Sequence, residues 1–419
     1  MLEMKNPISG IWQWLILASA AVIVVAACLL AAGWGFADTV AEKSESVEIS
    51  EIAVDLDPLN PRTHFSLARQ LENTFDPEAI SRSLSEYEIA VALAPKNYIY
   101  WLSLGRARER AGMDGEPALR QAMSLAPHYS RVRWALGNAL IRKGKIEEGF
   151  AEIRYALESD EQLAPAAAAL AWELTGGDVK AAIALIGSEP LAAAEIVARL
   201  ANDSRFDDAF DLFSSLSAQL RSRSDFVAKL AEKFIAAKRF RQAAQIVGAA
   251  SADGAPRVGA VTNAGFESDM QLGGASVFDW RLSAGPIPQI ARTDATKTEG
   301  NYSLVMVFPD SASAEFREIS QTVAVEPTKR YRLRFSFRSE LRTDAAFRWE
   351  IVSAADSKRL AVSEPLSAGT DWTAAELRFQ IPGDIDGVTL RLRRENCRPT
   401  LCKINGKIWF DDFRLNEEN

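Results

Sequence analysis

The hydrophobic pattern changes period twice along the chain, and the three regimes predict three kinds of structure. From Asn6 to Ala37 no residue is charged, and Leu15–Ala32 is almost wholly aliphatic. At 1.5 Å rise per residue, Ile11–Phe36 makes a helix of about 39 Å, longer than the ~30 Å hydrocarbon core of a bilayer. Trp12 and Trp14 stand near one end and Trp34 near the other, at the headgroup depth that amphipathic indoles favour. From residue 48 to 250 apolar residues recur at helical spacing, broken by short polar stretches. Beyond Ser251–Ala260 the period falls to two. In RYRLRFSFR, Tyr331, Leu333, Phe335 and Phe337 point one way and Arg330, Arg332, Arg334 and Ser336 the other, as in a half-buried antiparallel strand. Further runs of this kind (ISQTVAV, FRWEIVS, AELRFQIP, VTLRLRR) predict a two-sheet sandwich.

The expected organisation is therefore multidomain. Residues 1–10 form a cytoplasmic N-terminus, 11–36 a transmembrane helix, 38–250 helical repeats, 251–260 a linker and 261–419 a β-sandwich. The apolar run is too long for the roughly 7–15 residues of a cleaved leader core, so an uncleaved signal anchor is expected. Small residues at Gly35-Phe36-Ala37 keep cleavage as the alternative. Lys5 and the α-amino group precede the run, and Asp38, Glu42, Glu45 and Glu48 follow it. The positive-inside bias then puts the bulk of the chain outside the cytoplasm, in a single-pass topology across the inner membrane.

The helical region is self-similar. Leu136-Gly137, Leu140, Gly144 and Gly149 recur in outline as Leu104-Gly105, Gly112 and Ala118, and the second helices end before Pro95 and Pro127. Small residues Ala118, Gly149, Ala182, Ala209 and Ala243 step by 31, 33, 27 and 34 positions. This pattern resembles the tetratricopeptide repeat (TPR), a helix–turn–helix unit of about 34 residues. The resemblance implies about six helix pairs and a protein-binding surface lined by first helices. Arg69, Asn73, Arg106, Arg133 and Asn138 are candidate contacts there, with a merely solvated helix face as the plainer reading.

Composition narrows the chemistry. The net charge of −8 argues against nucleic acid as a partner. With only His64 and His128, most histidine-based catalysis and zinc schemes lack material, and no nucleophile elbow, phosphate loop or dinucleotide fingerprint occurs. A non-enzymatic role is expected. Of three cysteines, Cys28 lies in the apolar run, while Cys397 and Cys402 share the loop CRPTLC. That pair suits a small disulfide in an oxidising compartment, two free thiols being the alternative.

The last third also carries an ordered set of marks: NAGFES, TEGNYSL, SQTVAVEPTKRY, DWTAAELRFQIP and IWFDDFRL. Their order resembles the carbohydrate-binding jelly rolls of family 4/9 type, over about 160 residues. The resemblance implies a possible structural calcium, the only cofactor considered, between Glu267 and Asp411 or Asp412. Strand alternation would put Trp409, Asp411, Phe413 and Leu415 on one side, so Asp411 would point inward and need a partner. Trp349 and Trp280 are the candidate glycan or partner contacts, although aromatics at strand spacing usually belong to a core. Together the segments suggest a membrane-anchored periplasmic scaffold. Its repeats would bind proteins and its jelly roll glycan or protein, in exopolysaccharide or O-antigen assembly or export. A structural subunit of a larger membrane complex is the alternative.

Overall fold

The computed structural model describes residues 11–43, 46–74, 76–187, 189–251, 254–270, 276–311, 316–395 and 403–418. Cys397 and Cys402 lie outside the described residues. Two compact units, Met1–Ala192 and Ala193–Asn419, divide the chain. The division falls within the helical repeats, not at the 251–260 segment.

In the first unit, α1 (Ile11–Lys43) is long and apolar enough to cross a membrane. From Trp14 to Phe36 its side chains stand in the open, and the helix then runs on without a break. Its last turns pack on α2 (Val47–Leu56) and α3 (Pro61–Glu72). Ala37 is fully buried, and Asp38 accepts a hydrogen bond from Arg62 at 3.1 Å. The apolar helix is thus continuous with the folded repeats.

Next come α4 (Pro77–Leu93), α5 (Tyr98–Arg110), α6 (Glu116–Leu125), α7 (Ser130–Arg142), α8 (Ile146–Ser159), a 3-10 turn (Glu161–Leu163), α9 (Ala164–Leu174) and α10 (Val179–Ile186). They pack in sequence as pairs, α3 on α4, α5 on α6, α7 on α8 and α9 on α10. Helix α11 (Pro190–Asn202) crosses the division. The second unit continues with α12 (Phe206–Ser215), the short α13 (Ala218–Arg221), and the pair α14 (Ser224–Ala236) and α15 (Phe240–Ala250).

The turns explain why the repeats register. Five first helices end with a left-handed residue: Gly112, Gly144, Gly176, Ser204 and Lys238. The next N–H then closes a six-residue loop onto a helix carbonyl, as in Met113 to Arg108 at 2.8 Å and Arg239 to Phe234 at 2.8 Å. This Schellman closure satisfies carbonyls that the helix end leaves unpaired. Close approach within a pair also depends on glycine. A Cβ on Gly137 would lie 2.7 Å from the carbonyl oxygen of Gly149, and one on Gly149 the same distance from that of Gly137. Helices α7 and α8 therefore meet backbone to backbone.

The sandwich has two antiparallel sheets. One is ordered β1 (Arg281–Leu282), β4 (Ile319–Ala324), β10 (Gly387–Glu395), β7 (Ala346–Ser353) and β8 (Arg359–Val362). The other is ordered β2 (Gln289–Thr293), β3 (Ser303–Ser311), β11 (Ile404–Glu418), β5 (Arg330–Ser339) and β9 (Thr370–Gln380), with β6 (Arg342–Thr343) also on β11. Strand β5 buries Tyr331, Leu333, Phe335 and Phe337, as its alternation requires. These meet an aromatic centre in which Trp349 stands 5.0 Å from Phe413 and Trp280 5.2 Å from Phe413.

The expected alternation of β11 is corrected. Its register with β5 shifts between Asp411 and Arg414, and Asp412 takes a left-handed φ of 53°. This bulge reverses the phase. Ile408 and Phe410 before it, and Phe413 and Leu415 after it, join the core cluster. Trp409 and Asp411 face the opposite way from Phe413 and Leu415, because one extra residue flips every side chain beyond it.

Within the second unit, α15 is fastened to the sandwich. The Asp386 carboxylate accepts from the N–H groups of Phe240 and Arg241, each at 3.1 Å. Arg241 pairs with Glu326 at 2.9 Å, and Phe240 packs so tightly on Gly387 that a Cβ there would sit 2.4 Å from its ring. The end of the expected linker is tied as well, Gly259 donating to Ala324 at 2.8 Å.

Candidate functional site

The first helices of two successive pairs carry a stripe of arginine. On α5, Arg106 and Arg110 are one turn apart. On α7, Arg131, Ala135, Asn138 and Arg142 follow at helical spacing along one face. These residues, with Glu109, Leu119, Trp134 and Leu163, line a cavity of about 560 Å³, within the range of ligand pockets. Arg142 pairs with Glu109 at 2.8 Å, and Glu109 also accepts from the Gly115 N–H at 2.9 Å. Arg110 pairs with Glu72, whose second oxygen takes the Tyr87 hydroxyl at 3.1 Å. Arg106 and Arg131 are exposed, and among the described residues neither makes an ion pair or a hydrogen bond. Asn138 donates to the Trp134 carbonyl at 2.8 Å, which fixes its side chain against α7.

Of the five sequence-derived contacts, Arg106 and Asn138 lie in this cavity and the other three do not. Arg69 is exposed, 5.9 Å from the ring centre of Phe65, and Asn73 caps the end of α3. Arg133 is corrected from contact residue to structural residue. It reaches Glu152 at 2.5 Å and the Pro127 carbonyl at 2.6 Å, and it covers the Tyr155 ring at 4.3 Å. Arg110, Arg131, Trp134 and Arg142 were missed. Their signal was arginines at helical spacing on consecutive first helices, Arg106 and Arg110 four apart on α5 and Arg131 and Arg142 eleven apart on α7, with Trp134 between the last two.

Two polar knots stiffen the same unit. Glu116, at the start of α6, meets Lys143 at 2.8 Å, Lys145 at 3.0 Å and Arg120 at 2.8 Å. The lysine ammonium groups, Lys143 foremost, hold its carboxyl down at about 2. His64 is buried with both ring nitrogens facing acceptors, Nδ1 to Glu86 at 2.6 Å and Nε2 to the Pro58 carbonyl at 2.9 Å. The Glu86 hydrogen bond raises its pKa above the usual histidine value, against the opposing cost of burial.

In the sandwich, the two candidate contact tryptophans are corrected. Trp280 is 2% exposed and Trp349 fully buried, so neither can lay a ring face against a sugar or a partner. The side of the six-stranded sheet that bears Trp409 offers little flat aromatic surface. Trp409 lies beneath Arg338, 5.4 Å from the guanidinium, and Trp372 is half-buried and donates to Thr296 at 3.2 Å. Arg332–Glu418 and Arg378–Glu376 pairs cover the neighbouring strands at 3.2 Å each. In the other sheet, buried Glu350 holds Arg359 at 2.7 Å and Arg391 at 2.9 Å.

Glu267 and Asp411 grip the loop before β3. One oxygen of Asp411 accepts from the Thr298 N–H at 2.8 Å, the Thr298 hydroxyl at 2.8 Å and the Glu299 N–H at 3.3 Å. The other accepts from the Asp412 N–H at 2.8 Å. Glu267 accepts from the Asn301 and Tyr302 N–H groups at 2.8 and 3.1 Å, which lowers its pKa. Asp412 turns to Arg414 at 2.6 Å. Calcium needs six to eight oxygens with free lone pairs, whereas these carboxylates face hydrogen-bond donors. Among the described residues no group of three or more His, Cys, Asp or Glu could hold a metal ion. Both carboxylates are thus engaged by N–H donors of the 298–302 loop.

No family model matches the chain, and no curated protein matches it. A solved structure described as "CBM4 structure and function" aligns with 38% of this chain and 99% of its own, at 14% identity and a TM-score of 0.29. MamA aligns with 36% of this chain and 88% of its own, at 20% identity and a TM-score of 0.28. YrrB, described as a TPR protein with an unusual peptide-binding site, aligns with 49% of this chain and 92% of its own, at 14% identity and a TM-score of 0.25.

Proposed function

We propose that this protein is a non-enzymatic, membrane-anchored adaptor that docks another protein in the groove between α5 and α7. The observation that carries the reading is the pair of uncommitted arginines beside a half-buried tryptophan in a roomy cavity. Guanidinium and indole groups are the side chains that most often dominate protein interfaces. Helix α1 serves as the anchor, with the N-terminus in the cytoplasm and the folded bulk in the periplasm. The uninterrupted passage from apolar helix to packed repeat supports an anchor that stays attached. Exopolysaccharide or O-antigen assembly or export is the setting proposed for this adaptor.

Burial of Trp280 and Trp349 and the ion pairs across the sheets favour a second reading of the sandwich, as a structural interface inside a larger membrane complex. A photo-cross-linking residue at Ala135, followed by mass spectrometry of the adducts, tests the docking reading. A protein adduct at this position and not at exposed Tyr155 is the expected result; labelling of lipid or water alone refutes it. Glycan-array binding by the full chain would refute the interface reading of the sandwich.

A further inference from the structure

We propose that the α5–α7 groove takes an acidic, extended segment of its partner, with carboxylates paired to Arg106 and Arg131 and an apolar side chain against Trp134. This rests on the docking reading and names the chemistry of the occupant. The chain as a whole carries −8, yet four arginines and a single glutamate line this cavity. That glutamate is already engaged by Arg142 and the Gly115 N–H. Elsewhere in the unit arginines find acids: Arg62 with Asp38, Arg108 with Glu88, Arg120 with Glu148 and Arg133 with Glu152. Arg106 and Arg131 have no such partner among the described residues, and both face the same cavity.

A planar guanidinium matches a carboxylate with two parallel hydrogen bonds, so an unpaired one in a cleft is a ready acceptor-recognition group. A cleft lined by one sign of charge also raises the local concentration of the opposite sign. The apolar part of the lining, Leu119, Ala135, Leu163 and the Trp134 ring, supplies what a simple polyanion would not need. Charge beside an apolar floor calls for acidic and aliphatic side chains in alternation. That favours a peptide over a polysaccharide or nucleic acid.

The test uses the full chain in zwitterionic nanodiscs and a fluorescein-labelled peptide alternating Glu with Val, read by anisotropy against empty discs. Binding should appear at 50 mM salt and weaken at 500 mM, where exposed charges are screened. The double reversal Arg106→Glu/Arg131→Glu should weaken it at least about tenfold while the thermal unfolding curve stays in place, because among the described residues neither side chain makes an ion pair or a hydrogen bond. A Gln–Val peptide binding as tightly as the Glu–Val peptide overturns the proposal, as does unchanged binding by the double reversal. Absence of Glu–Val binding at millimolar peptide also overturns it. So does heparin binding that is tighter than the peptide's and equally sensitive to the reversal, which would assign the groove to polyanions. The docking reading fails separately, when the cross-linker at Ala135 traps no protein.

Discussion

Replacing Glu116 with Gln should weaken the repeat unit in a way that depends on pH. The carboxyl bridges α6 to the turn between α7 and α8 through Lys143 and Lys145, and it bonds Arg120 one turn along its own helix. Holding an acid at about 2 in place of its ordinary 4.5 corresponds to a ceiling of about 3.4 kcal/mol. Solvent reduces that. The three cationic side chains are 32%, 46% and 41% exposed, and pairs open to water are worth far less than buried ones. Lys143 also keeps Asp114 at 2.5 Å, and Arg120 keeps Glu148 at 2.5 Å, so the substitution leaves neither cation stranded. About 1.5–2 kcal/mol is therefore expected at pH 7. Because the folded-state pKa is lowered, the contribution is complete above pH 4.5 and disappears as pH falls through about 2. Urea unfolding of the full chain in detergent, followed by far-ultraviolet circular dichroism, would measure wild type against Glu116→Gln at pH 7, 4 and 2.5. A loss under about 0.5 kcal/mol at pH 7, or a loss that does not shrink on acidification, would refute the assignment.

Four further outcomes follow from the same structure. Gly137→Ala should cost about 2 kcal/mol or more in the same assay despite alanine's better helix propensity, since its methyl would meet the Gly149 carbonyl at 2.7 Å; an unchanged midpoint would show that α7 and α8 do not approach so closely. Lys238→Gly should stabilise α14–α15 by about 1 kcal/mol, since Lys238 holds a φ of 61° that glycine adopts without strain; a loss of stability would contradict that turn. His64 has a raised pKa, so its bonds to Glu86 and Pro58 contribute fully below about pH 6.5 and are lost as pH rises through the folded value. Accordingly His64→Gln should cost about 1.5–3 kcal/mol at pH 6 and less at pH 9, and an imidazole NMR titration midpoint below 6.5 would rule this out. Calcium or EDTA should leave the melting temperature unmoved, because Glu267 and Asp411 face N–H donors; a rise of several degrees with calcium would restore the cation.

Much of the architecture was legible in periodicity alone. An apolar run of bilayer length, a repeat near 34 residues and strict alternation in β5 each specify local geometry directly, because side-chain direction follows backbone period. Glycines at 112 and 144 marked the turns, and those at 137 and 149 the close crossing of α7 and α8, for the same local reason. Periodicity says which face of an element a residue occupies, but it cannot say what arrives to cover that face. Arg106 and Arg133 are indistinguishable as arginines on first helices, yet Glu152 and Tyr155 occupy one and nothing among the described residues occupies the other. Likewise the bulge at Asp411–Arg414 breaks the phase of β11 through a backbone conformation that no pattern of apolar letters reports. The groove between α5 and α7, the burial of Trp280 and Trp349, and the grip of Glu267 and Asp411 on the 298–302 loop all join residues distant in sequence. They exist only once packing has chosen which surfaces meet.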